Sequence, residues 1–272
     1  MKKMFFLIAA LAATLTAGAQ SDNDSNNDAD STARSGDRRV WIDFRFSESF
    51  GLNRWSDQAF VNNHLPRTMS TDFKATLNIM TGGPVGIFFD MGFGIMPGAR
   101  NNSYDMGNFP TPKPGTQYYI REMITDHPGP DPSASFKMTT GVFGRIKTSS
   151  RFAVMPAVGI GFMTMTLPSY EVLLKEQGSN IQYRAAYSWF TASSDQSADA
   201  VHVLGRLTGR LTFGYTFSEH AKLLFGLEYT WIFTPVKFST TFTNDFNSAI
   251  TKTFVMPGNR MNMFGVMIGI AL

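Results

Sequence analysis

The chain contains no cysteine. That excludes disulfides, thiolate metal sites, a cysteine nucleophile and a lipid-modified cysteine. Charged residues are scarce at 17% of 272 positions, and Lys plus Arg (24) barely exceed Asp plus Glu (21), so the charge balance offers no electrostatic case for a nucleic-acid partner. Nowhere does an apolar run approach the roughly 20 residues that a spanning helix requires. Metal-ligand spacing is missing as well, and no cofactor is expected. Gly92-Phe-Gly94 and Gly159-Ile-Gly161 lack the dinucleotide-binding spacing and read as small residues on strands.

What is present begins with a secretory signature. Lys2 and Lys3 precede an apolar core from Met4 to Leu15, and Ala17-Gly18-Ala19 supplies small residues before Gln20. Residues 1–19 are read as a signal peptide cleaved after Ala19. Its removal takes Lys2 and Lys3 but no acid, so the formal net charge falls from +3 to +1. Residues 20–38, rich in Ser, Asp and Asn, hold too few apolar groups to order themselves and read as a disordered polar leader. The rest, 39–272, reads as one β domain. An exported domain without disulfides needs another source of stability, and a closed strand ladder in lipid provides one.

The end of the chain sets the architecture. From Phe264 every second residue is bulky and apolar (Phe264, Val266, Ile268, Ile270, Leu272), whereas Gly265, Gly269 and Ala271 alternate with them. A soluble sandwich would put charged and polar residues on its outer face. A narrow membrane barrel does the reverse, with bulky side chains toward lipid and small or paired polar ones inside. Seven earlier segments repeat the pattern: Arg39 to Phe50, Thr71 to Met80, Val85 to Met96, Phe136 to Lys147, Phe152 to Met165, Ala200 to Phe217 and Lys222 to Thr234. In the first, for example, Ile42, Phe44 and Phe46 oppose Asp43, Arg45 and Ser47. Pro156 lacks a ladder donor and predicts a bulge or break.

Connections between these segments alternate long and short. Residues 81–84, 148–151 and 218–221 are tight turns, and the other connections are long. The reading is therefore all-β: an eight-stranded antiparallel up-and-down transmembrane β-barrel with short periplasmic turns and long extracellular loops. On these residues the chain resembles the small eight-stranded outer-membrane barrels of the OmpA-transmembrane and OmpX type, including PorT-like barrel domains. The resemblance implies residence in the cell outer membrane, with outer-membrane lipids and the barrel-insertion machinery as partners. Leu272 stands where members of that family commonly carry a terminal aromatic.

Chemistry concentrates on the expected inner face. Asp43 and Arg45 of the first strand, Asp72 and Lys74 of the second and Asp90 of the third belong there. Arg145 of the fourth strand, Arg206 and Arg210 of the sixth and Glu228 of the seventh complete the set. Charges in a narrow lumen must be paired or hydrated, so the set is read as a salt-bridge network that plugs the barrel. A narrow ion conduit is the alternative reading of the same residues. The histidines His64, His127, His202 and His220 have no spacing that fixes a catalytic triad, so the chain is expected not to be an enzyme; a lipid-modifying activity centred on His202 is the minor alternative.

Specific function is expected in the loops. Ile181 to Phe190, Lys237 to Thr243 and Thr251 to Met256 keep strand-like composition and should form hairpins above the membrane. Ser169 to Gln177 reads as a short helix, with Glu171 and Lys175 four residues apart. The expected roles are envelope structure or surface interaction through these loops, with a protein partner at an exposed sheet edge. A barrel component of a secretion or assembly machine is the alternative that the PorT-like resemblance implies.

Overall fold

Side chains that alternate with period two must face opposite sides of a sheet, and the long apolar-polar runs form strands for that reason. The computed structural model describes residues 39–55, 68–81, 83–97, 110–124, 132–166, 170–190, 201–218, 221–256 and 258–272. Residues 1–38, where the signal peptide and polar leader are expected, lie outside them, as do His64, His127 and His220. In chain order the strands are β1 (Val40–Gly51), β2 (Met69–Met80), β3 (Val85–Met96), β4 (Tyr118–Met123), β5 (Ser133–Gly144), β6 (Ile146–Lys147) and β7 (Phe152–Thr166). They continue as β8 (Tyr170–Glu176), β9 (Gln182–Phe190), β10 (Val201–Thr216), β11 (Lys222–Ile232), β12 (Lys237–Asn244), β13 (Ile250–Met256) and β14 (Met261–Ala271).

Eight of these strands close into an antiparallel barrel in the order β1-β2-β3-β5-β7-β10-β11-β14, with β14 returning to β1. Closure gives every strand a partner on both sides, which satisfies the backbone without water. The bulky rows point outward: Phe46, Phe73, Ile160 and Ile268 are each more than half exposed, whereas the intervening Asp72 and Lys74 are 2% exposed. Phe46 pairs with Phe73 on one side and Ile268 on the other, and outward rings stack, as Phe213 does on Phe225 at 5.4 Å. Tyr215 and Phe217 stand exposed at the short-turn end. At the opposite rim Tyr229 donates to Asn262 at 2.7 Å, and the Arg260 guanidinium lies 5.9 Å from the Trp231 ring. Glu48, the one charge on the outward row of β1, accepts a 2.7 Å bond from Thr71 near that rim.

Three differences from the sequence reading have physical causes. The fourth barrel strand starts three residues early, at Ser133, and divides at Arg145 into β5 and β6. The break lies opposite Pro156, which has no N–H to offer; pairing resumes at Ile146 with Val154 in unchanged register, so there is no bulge. Of the expected helix at Ser169–Gln177, Ser169 lies outside the described residues and Tyr170–Glu176 form strand β8 instead. Its Val172 and Leu174 are fully buried against β9, Glu171 reaches Arg184 on β9 at 3.2 Å, and Gly178, with φ of 77°, turns the chain between the two strands. Finally, β4 adds a strand inside the second long connection.

That strand completes a second sheet, ordered β13-β12-β9-β8-β4, to which three long connections contribute. The sheet sits over the long-loop mouth of the barrel on an apolar core. Met96, Met163, Met165, Leu204, Ile232, Met261 and Met263 rise from the barrel wall to meet Val172, Leu174, Tyr183, Ala185, Tyr187, Phe238 and Phe242 from the sheet. Trp55, 3% exposed, joins from the first connection. The lumen is therefore not polar throughout, because its outer end is filled with thioethers and aromatics. Burial pushes the Tyr187 hydroxyl far above the usual phenol range. Truncation of Phe242 to Ala should cost about 3–5 kcal/mol locally. Protease cutting in the β8–β9 and β12–β13 hairpins should rise, while the barrel keeps its heat-modifiable gel mobility; unchanged cutting would contradict this core.

Candidate functional site

The middle of the lumen is where charge gathers. Inward positions of β1, β2, β3, β5, β10 and β11 bring polar side chains from facing walls within hydrogen-bond reach. Lys74 spans the interior to Glu228 with a 2.5 Å contact and lies 3.9 Å from Asp72. Lys137 is ion-paired with Asp72 and donates to Ser70 at 2.9 Å, while Ser70 donates to the same carboxylate at 2.5 Å. Arg210 reaches Asp90 at 3.5 Å and covers the Phe88 ring at 4.7 Å. Asp43 accepts from Arg45 at 2.6 Å and from Asn78 at 2.7 Å. Arg206 donates to the Thr139 hydroxyl from two nitrogens, at 3.1 and 2.5 Å. It crosses Gly161 to do so, where a Cβ would run into the backbone of Met138 and Thr139.

Four of these contacts join strands that are not neighbours, Lys74–Glu228 (β2 to β11), Lys137–Asp72 (β5 to β2), Arg210–Asp90 (β10 to β3) and Arg206–Thr139 (β10 to β5), so they brace the wall across the lumen. Asp43, Arg45, Asp72, Lys74, Asp90, Arg206, Arg210 and Glu228 all lie on the inner wall and are buried. Arg145 does not join them. It follows the end of β5, half-buried, with its guanidinium 5.6 Å from the Trp41 ring, and its N–H bonds to Pro84 at 2.6 Å. Trp41 in turn meets Phe143 edge-on at 5.4 Å, and Met155, Leu224 and Ala271 fill the rest of this end. Lys137 was outside the constellation read from sequence, although its place between outward Phe136 and Met138 put it on the inner face.

The interior thus has three levels: an apolar cap under the outer sheet, a paired ionic middle and an aromatic floor at the short-turn end. Such an arrangement fills space and braces walls. His202 is buried at the outer level opposite Met165. Among the described residues no group of three or more His, Asp or Glu could hold a metal.

A closed barrel with an apolar exterior and a charged interior spans lipid, and this chain is an eight-stranded transmembrane β-barrel of the outer-membrane kind. No protein-family model and no curated protein matches it. Solved structures similar to it include neisserial surface protein A, with 7% identity, 86% of this chain and 94% of that one covered, and a TM-score of 0.39. A major outer-membrane protein of Thermus thermophilus has 10% identity, coverage of 85% and 98% and a TM-score of 0.39. Ail of Yersinia pestis has 7% identity, coverage of 86% and 97% and a TM-score of 0.36.

Removing one partner of a buried pair leaves an uncompensated charge, whereas removing both does not. Lys74→Met should therefore lower stability by about 3–5 kcal/mol, and Lys74→Met with Glu228→Leu should regain most of that loss. Urea unfolding in lipid vesicles reads the difference. Equal losses in the single and double variants would show that the Lys74–Glu228 contact does not brace the barrel.

Proposed function

We propose that the mature chain is a non-enzymatic outer-membrane barrel that contributes to envelope structure or surface contact through its outer sheet. In this reading the signal peptide is removed after Ala19, residues 20–38 form a polar leader, and the barrel-insertion machinery places the domain with its short turns toward the periplasm. The lumen charges, Lys137 included, act as a structural plug. The observation that supports the reading is how the interior is filled: apolar clusters lie at both ends of the lumen with ion-paired charges between them, and the outer sheet is the surface on which specificity can be built. The burial of His202 under that sheet speaks against catalysis at this residue.

A second reading, a component of a secretion or assembly machine, is favoured by the sheet's edges. Among the described residues β13 pairs only with β12 and β4 only with β8, so each offers one open edge for strand addition. Lys252 on β13, and Arg121 and Glu122 on β4, would restrict which strand could be added. Co-purification of a stable complex from detergent-solubilised envelope would support this role.

Two measurements test the leading reading. An epitope inserted after Asn247, in the β12–β13 turn, should be labelled on intact cells, and one inserted after Ser149 only after permeabilisation; the reverse pattern would invert the orientation. Reconstituted protein should give no reproducible conductance steps in planar bilayers. Steady unitary currents would replace the plug with a conduit.

A further inference from the structure

The pairing of β1 with β14 continues beyond Gly51, the last strand residue of β1, at the long-loop rim. There the Leu52 N–H donates to the Asn262 carbonyl at 2.7 Å, and the Asn259 N–H donates to the Trp55 carbonyl at 2.7 Å. Arg54 and Arg260 lie between these two bonds and so face each other across the pair. Their chain neighbours Trp55 and Met261 turn into the apolar core, whereas both arginines are exposed. The carbonyl of each is held by the asparagine beside the other: Asn53 donates to the Arg260 carbonyl at 2.6 Å, and Asn259 to the Arg54 carbonyl at 3.3 Å. Asn53 also accepts from the Asn262 N–H at 2.8 Å, which fixes the pair of chains at this point.

Like charges set directly opposite each other are destabilising. Among the described residues no carboxylate forms an ion pair with either guanidinium, and that of Arg260 meets the Trp231 ring at 5.9 Å. The acid on the outward row of β1, Glu48, is six residues from Arg54 and already bonded to Thr71. The same register puts apolar surface directly below the arginines. Phe50, Phe264 and Tyr229 stand level with one another and exposed, and Leu52, Asn262 and Trp231 form the next level. From the membrane toward the long loops, this outward face is therefore apolar, then amphipathic, then cationic.

We propose that Arg54 and Arg260 bind the phosphomonoester of a membrane lipid whose chains descend over Phe50, Leu52 and Phe264. Two guanidinium forks on one face can share the oxygens of a single phosphate, and the anion between them offsets their mutual repulsion. A monoester, with a charge of about −1.5 to −2 at pH 7, matches the two cations, whereas a diester carries too little charge to neutralise both. The aromatic level beneath belongs at the boundary between hydrocarbon and water, where such a headgroup sits. Location in the leaflet that faces away from the periplasm rests on the orientation proposed above, but the site itself does not.

The test is lipid retention. The full barrel is reconstituted in vesicles of phosphatidic acid, phosphatidylglycerol and phosphatidylcholine in equal parts with matched chains, then released into mild detergent, and its bound lipids are counted by native mass spectrometry. Phosphatidic acid, the monoester, should be retained above phosphatidylglycerol, and phosphatidylcholine least. Arg54→Gln and Arg260→Gln should each cut the excess of phosphatidic acid over phosphatidylcholine about fivefold, and the two together should remove it. Arg184→Gln, which takes an exposed cation from the outer sheet, should leave the excess unchanged. Heat-modifiable mobility shows whether each variant is a folded barrel; if the double variant does not fold, the single variants decide. Phosphatidic acid retained no better than phosphatidylglycerol, an excess untouched by either rim variant, or an equal loss in Arg184→Gln would overturn the proposal. A reversed epitope pattern with the lipid preference intact would leave the site standing and move it to the other leaflet.

Discussion

A strand that crosses hydrocarbon has no water to satisfy its N–H and C=O groups, so each must find another strand on both sides, and the set must close. Everything else in this molecule follows from that closure. Once β14 meets β1, the two faces of every strand are assigned to different media, and one residue of slip would send Phe46, Phe73 and Ile268 into the lumen and Arg45 and Lys74 into lipid. The interior that remains is narrow enough for side chains to fill and too charged to collapse as a hydrocarbon core. Its ionic groups are therefore arranged to meet across the barrel.

Much of this was legible in the chain because period two is a local signal. The span of β3, Val85–Met96, coincides with its apolar-polar run, and the charged faces of β1, β2, β10 and β11 follow from their neighbours. Which charges meet was not legible. The pairing of Lys137 with Asp72, and of Lys74 with Glu228, depends on how far the strands are staggered around the closed wall, a property that no single strand contains. Arg145 shows the same limit from the other side: alternation placed it inward, but the break opposite Pro156 left it at the mouth, against Trp41.

The outer sheet was the harder part, for reasons visible in its residues. In β8 the consecutive Val172, Leu173 and Leu174 erase alternation, while Glu171 and Lys175 imitate helical spacing. In β4 the register slips between Ile120 and Glu122, so its pattern is interrupted. The hairpins β8–β9 and β12–β13 carry clearer strand composition, but their common core exists only when segments from separate connections converge. Residues such as Met96 and Leu174 have apolar partners far away in the chain, and a local reading cannot assign them to one cluster.

The methionines at the outer mouth serve a geometric need. A barrel ends in a circle, a twisted sheet presents a rectangle, and rigid branched side chains cannot tile both outlines at once. Met96, Met163, Met165, Met261 and Met263 supply unbranched, polarisable chains that can bend into the mismatch. Because this gasket adapts its shape to whatever rests on it, the residues above it can diverge from one chain to another without reworking the staves below.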